Sequence, residues 1–149
     1  MTKLRLVIDT NILVSGLMAV NSLPQQVFDY ATSQAILLMS DEVQSEIENV
    51  ISRPKLQKYI SLEQRNKFLT ELSQQVERVT INQQIRACRD PKDDKFLELA
   101  VCGEADYIII GDADLLDLHP FQNVSIIKAA SFLTVVKIMN SLPPLNERT

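Results

Sequence analysis

The sequence predicts an α/β protein, a mostly parallel sheet with helices on both faces. Three observations carry that reading. Short apolar runs alternate with longer stretches of helical periodicity along the whole chain. The strongest runs, Leu4–Ile8 and Tyr107–Ile110, are apolar at nearly every position, as strands buried on both faces are. No internal repeat, low-complexity tract or linker interrupts the 149 residues, a length that suits one domain with a real core.

Taken in order, Leu4–Ile8 is the first strand. Asn11–Met18 then reads as a short helix. A second helix runs from Pro24, a residue suited to a first turn, to about Thr32. Ile36–Met39 is the second strand. Ser40 or Asp41 caps a helix reaching about Ser52, with Val43, Ile47, Val50 and Ile51 on one face. Pro54 ends it. Ser61-Leu62-Glu63-Gln64 opens another helix by a capping-box pattern.

Val76–Ile81 reads as a short third strand and 82–89 as loop. Asp90-Pro91 starts a helix through about Cys102, and Gly103 ends it. Tyr107–Ile110 and Val124–Ile127 are further strands. Ala130–Met139 is the last helix, and Pro143-Pro144 marks a tail. The organisation is one domain over 1–142 with a C-terminal tail, 143–149.

Composition narrows the chemistry. Hydrophobic residues make up 46% and charged residues 23%, a globular balance. No apolar run has membrane-spanning length, and the N-terminus lacks a signal-peptide layout. The expectation is a cytoplasmic protein with no membrane partner. Cys88 and Cys102 are too few for a disulfide scaffold or a thiolate zinc site and read as reduced, half-buried thiols. His119 is the single histidine, which weighs against histidine triads and most zinc enzymes; it reads as a solvated loop residue. Any metal would be held by oxygen, which favours Mg²⁺ or Mn²⁺. A net charge of −4 makes nucleic-acid contact local rather than general.

In open parallel sheets, ligands bind beyond the carboxyl ends of the strands. Asp9 directly follows the first strand, and Asp112 follows Tyr107–Ile110 after one glycine. Both belong to the same rim. Aspartate is also common in turns and as a helix cap, so each has a purely structural reading as well. Glu46 falls at the edge of the apolar arc of its helix, where an acid can reach a cleft. Asp90, Asp93 and Asp94 crowd one helix start. One acid there complements the helix dipole, and three exceed that need. Two carboxylates ~4 Å apart repel by roughly 4 kcal/mol at an effective dielectric of ~20. Converging acids therefore call for a divalent cation or for raised pKa values.

The segments "VIDTNILVSG", "DEVQSEIENVISRPK", "DPKDDKFLELAV" and "ADYIIIGDADLL" occur in this order. Together they resemble the PIN domain, and most closely its VapC-like branch of ribonuclease toxins from toxin–antitoxin systems. The resemblance implies a three-layer α/β/α sandwich and an Mg²⁺- or Mn²⁺-dependent endoribonuclease acting on single-stranded RNA. It maps the family's metal-binding and catalytic acids onto Asp9, Glu46, Asp94 and Asp112. Asn11 matches the asparagine after the first acid. Asp93 rivals Asp94, which is preferred because Phe96-Leu97 and Ala100 follow it at the family's offsets. Asp114 is a further supporting acid.

One departure stands out. The hydroxyl residue that often lies two positions before the fourth acid is replaced by Ile110. Neighbouring Thr10 offers a hydroxyl, but adjacent side chains on an extended strand face opposite ways. The resemblance also implies an antitoxin partner and pairing into a homodimer. Two other readings use the same acids. One is a non-catalytic module whose acidic rim binds a basic partner peptide. The other is an Mg²⁺-dependent phosphoryl-transfer domain, with Lys128 after a strand, but Asn11 stands where such phosphatases carry a second acid.

Overall fold

The computed structural model describes residues 3–111 and 113–141. Asp112 and the expected C-terminal tail, 143–149, lie outside the described residues. Among the described residues five strands form one parallel sheet: β1 (Arg5–Ile8), β2 (Ile36–Met39), β3 (Val76–Arg78), β4 (Tyr107–Ile110) and β5 (Ser125–Lys128). Their order is β3-β2-β1-β4-β5. Among the described residues six helices accompany them: α1 (Thr10–Met18), α2 (Leu23–Ser33), α3 (Asp41–Ile51), α4 (Leu62–Gln75), α5 (Asp94–Cys102) and α6 (Ala129–Ser141). The architecture is the three-layer α/β/α sandwich.

The central strands are apolar on both faces because both faces are covered. Leu6, Leu37, Leu38 and Ile108 are fully buried. On one side α2 packs against α1 and α6, where the buried Phe132 ring meets Tyr30 and Tyr107 edge-on at 5.6 and 5.5 Å. Helix α5 lies across β1, β2 and β4 and contributes Phe96, Leu97, Leu99 and Ala100 to the core. β1 sits at the sheet centre, pairing Leu6 with both Leu37 and Tyr107. Its carboxyl end therefore opens between β2 and β4. No described helix is long and apolar enough to cross a membrane.

Local signals explain the helix starts. Ser22, Ser40 and Ser61 each accept a backbone N–H from the first turn, and Ser61 with Gln64 completes the capping box. Ser40 is the buried one, and its helix carries Glu46. Ser40→Ala is expected to cost about 1–2 kcal/mol, read by urea denaturation, because the Val43 N–H loses its 3.2 Å partner.

Several local expectations are corrected. β3 is a three-residue edge strand, not a run to Ile81. The helix expected from Asp90 is divided: Pro91–Asp93 is a 3-10 turn, and α5 begins at Asp94. Asp114–Leu118 is also a 3-10 turn. Gly103 ends α5 with φ −92, outside the left-handed region; Glu104 takes that conformation with φ 54. Space is what Gly103 provides, since a Cβ there would lie 2.8 Å from Leu38 Cδ1 and 2.9 Å from the Leu99 carbonyl. His119 is exposed, yet its Nδ1 accepts the Ile126 N–H at 2.9 Å and ties the preceding turn to β5.

Candidate active site

The carboxyl end of β1 opens into a cleft of about 170 Å³. Asp9, Thr10, Asn11, Glu46, Val50, Arg53, Asp93, Phe96, Asp114 and Leu115 line it. Four of these are acids from four segments: the β1–α1 junction, α3, the turn before α5 and the turn after β4.

Asp9 is 7% exposed and serves two purposes. It is the N-cap of α1, and its Oδ1 accepts the Ile12 N–H at 3.0 Å. Its Oδ2 accepts the Gly111 N–H, also at 3.0 Å. One carboxylate thus joins the ends of β1 and β4. The structural reading of Asp9 as a cap and its reading as a cleft acid are both realised. Burial raises the Asp9 pKa, the backbone donors at Gly111 and Ile12 oppose that rise, and Glu46 adds to it.

Thr10 is the first residue of α1 and leaves the strand geometry at once. The alternation rule therefore does not apply to it. Its hydroxyl donates to Glu46 Oε2 across the cleft. Glu46 Oε1 accepts from Lys95 Nζ at 2.8 Å. Glu46 is thus held at both oxygens, by a residue of α1 and a residue of α5. Asn11 is exposed at the cleft wall.

The acids before α5 divide their work. Asp90 caps the 3-10 turn by accepting the Lys92 N–H at 3.0 Å. Asp93 faces the cleft. Burial raises its pKa first, and the charges of Asp90, Glu46 and Asp9 raise it further. Asp94 does not join Asp9 and Glu46, contrary to expectation. It lines a neighbouring pocket and accepts the Ala87 and Cys88 N–H groups at 3.1 and 2.8 Å. Those donors hold its pKa below the usual value against a desolvation that raises it.

The physical reason is rotation. Consecutive residues of a helical turn point ~100–120° apart, so Asp93 and Asp94 point in different directions. Asp93 with Phe96, Leu97 and Ala100 forms the i, i+3, i+4, i+7 series that faces inward. That spacing was available in the sequence and favours Asp93.

Asp114 lines the cleft and meets Arg89 at 3.8 Å; Arg89 also reaches Asp117 at 3.6 Å. Among the described residues, no three His, Cys, Asp or Glu side chains are close enough together to hold a metal ion. Asp112, expected as the fourth acid, lies outside the described residues. Cys88 and Cys102 are free, and burial followed by the nearby Asp94 pushes the Cys88 thiol up to about 12. A thiol so protonated is a poor nucleophile. Two polar groups of the site, the Thr10 hydroxyl and the Lys95 ammonium, were not legible as site groups. A lysine after three acids reads as surface charge, and Thr10 reads as strand until α1 is seen to begin there.

Comparison with known proteins agrees with this architecture. A family model described as PIN domain matches residues 5–114. An uncharacterized protein of Methanocaldococcus jannaschii, MJ1680, is 36% identical over 119 residues, covering 78% of this chain and 76% of that protein. The fold is also similar to the crystal structure of VapBC2 from Rickettsia felis bound to a DNA fragment from their promoter. That likeness has a TM-score of 0.58 at 13% identity and covers 84% of this chain and 98% of the other. The match spans every residue that lines the cleft except Leu115, and the chain belongs to the PIN domain family.

Proposed function

We propose that this protein is an Mg²⁺- or Mn²⁺-dependent endoribonuclease that hydrolyses single-stranded RNA in the cytoplasm, as the toxin of a toxin–antitoxin pair. The observation that carries this reading is the meeting of Asp9, Glu46, Asp93 and Asp114 around one cleft at the carboxyl edge of the sheet.

The donor set fits a hard divalent cation. The polar groups around the cleft are carboxylates, a hydroxyl, an amide and a guanidinium. Beyond burial, Glu46 raises the Asp9 pKa, and Asp90, Glu46 and Asp9 raise that of Asp93, the repulsion that a cation relieves. Asp9, Glu46 and Asp93 do not suffice by themselves; acids of this set would hold the ion together with Asp112, which follows β4 in the sequence. What a bound Mg²⁺ or Mn²⁺ supplies is an activated water and stabilisation of charge on the phosphate oxygens.

The chain's own residues do the rest. Thr10 and Lys95 fix the direction of Glu46. The Ile12 and Gly111 N–H groups fix Asp9. Asn11 presents an amide at the cleft wall, placed to orient a carboxylate or a water. Arg53, exposed where α3 ends, offers a guanidinium to an RNA phosphate next to the one being cut. Asp114 lines the cleft, and the Arg89 guanidinium lies 3.8 Å from it. Pairing of two copies and capture by an antitoxin complete the reading.

The test is cleavage of a mixed set of single-stranded RNAs in Mn²⁺, Mg²⁺ or EDTA. Cleavage with either ion and none in EDTA is expected. A folded protein that binds Mn²⁺, cuts no RNA and binds basic peptides tightly would replace the enzyme with an acidic-rim binding module.

A further inference from the structure

Lys95 is 11% exposed at its side chain, unusual for a lysine unless it is paired. Its partner is Glu46, 2.8 Å away. The pair joins α5 to α3, and the ammonium meets an acid that lines the cleft. The body of the lysine lines a neighbouring pocket with Asp94 and Glu98, not the cleft itself. Its ammonium also lies 5.9 Å from the Phe96 ring centroid, near the limit of a cation–π contact. Lys95 is therefore seated by packing, with its charge aimed at one cleft acid.

We propose that Lys95 is the built-in counter-ion of the acidic cleft: it steadies Glu46 while the cleft holds no divalent cation, and it lowers the cleft's affinity for one. The inference rests on the metal-binding reading above. Two positive charges that share one carboxylate oppose each other's binding, and the coupling is reciprocal. Removing Lys95 has two opposed effects. Glu46 loses a tether, which weakens cation binding. The cleft loses a positive charge, which strengthens it. The Thr10 hydroxyl still holds Oε2, so much of the tether survives and the charge effect wins. Lys95 is a positioning residue, since it acts through Glu46.

The experiment uses the full chain and Mn²⁺ alone. Mn²⁺ binding is measured by electron paramagnetic resonance of the free ion, and thermal unfolding is followed in EDTA and in saturating Mn²⁺. Lys95→Met and Lys95→Gln are expected to bind Mn²⁺ about tenfold more tightly than wild type, about 1.4 kcal/mol. In EDTA both should unfold at a lower temperature than wild type, and Mn²⁺ should close that gap. Lys95→Arg keeps the charge and should bind as wild type does. Thr10→Val loses a tether without losing charge and should bind Mn²⁺ no more tightly.

Unchanged or weaker Mn²⁺ binding in both neutral variants, beside a wild type that binds, overturns the proposal. Should Lys95→Met fail to fold, Lys95→Gln, which retains a donor for Glu46, carries the test. A folded wild type that binds no Mn²⁺ overturns the metal-binding reading instead, and is recognised because the wild-type arm itself fails.

Discussion

Asp9→Asn is expected to lower metal-dependent RNA cleavage by about a thousandfold, ~4 kcal/mol in the barrier. The chain should remain folded. The substitution keeps the size and shape of a buried side chain but removes its charge. An asparagine has one acceptor oxygen, whereas Asp9 uses both oxygens, toward the Ile12 and Gly111 N–H groups. One of those donors loses its partner, at about 1–3 kcal/mol. Relief from burying a carboxylate offsets part of that cost.

The pH dependence separates these effects. The folded-state pKa values of Asp9 and Asp93 are both raised, by burial first and by neighbouring acids second. Their contribution to stability is complete below the ordinary carboxylate pKa. It is lost as pH rises through the raised values, because ionisation is harder in the folded protein. In EDTA, the stability contributed by these two groups therefore falls from the acid side toward neutrality. Asp9→Asn should flatten that fall, because position 9 no longer titrates. Urea denaturation in EDTA across this range checks the stability, and single-turnover cleavage with Mn²⁺ checks the rate. A variant that cleaves at the wild-type rate would remove Asp9 from the chemistry.

The second large effect contrasts two adjacent aspartates. Asp93→Ala is expected to lower kcat/KM by about a hundredfold or more, since it removes a carboxylate from the cleft wall. Its stability without metal should hold or rise slightly, because Asp93 is repelled by Asp90, Glu46 and Asp9. Asp94→Ala should do the reverse. The Ala87 and Cys88 N–H groups lose their acceptor, and stability falls by about 1–2 kcal/mol. Cleavage by the folded fraction should stay within about threefold of wild type. Parallel urea curves and initial rates for the two variants decide it. Equal loss of rate with equal stability in both would contradict this division of labour.

The order of elements was readable without coordinates. Dense apolar runs between helical stretches imply a parallel sheet covered on both faces, because such strands have no polar face to give to water. The rim rule then singles out Asp9, and the edge of the α3 apolar arc singles out Glu46. Both inferences need only the period of a strand or a helix. Tertiary structure decided what period alone leaves open. Where the helix before α5 changes from a 3-10 turn to α geometry determines which of Asp93 and Asp94 faces inward. Where β1 stops determines that Thr10 begins a helix and can reach Glu46. The approach of Lys95 to Glu46 depends on the packing of α5 beside α3, 49 residues apart in the chain at this contact. Residue types and their spacing already state which side chains can carry charge and which faces must be buried. Only the folded chain decided which charges meet, because that depends on helix phase and on contacts between distant segments.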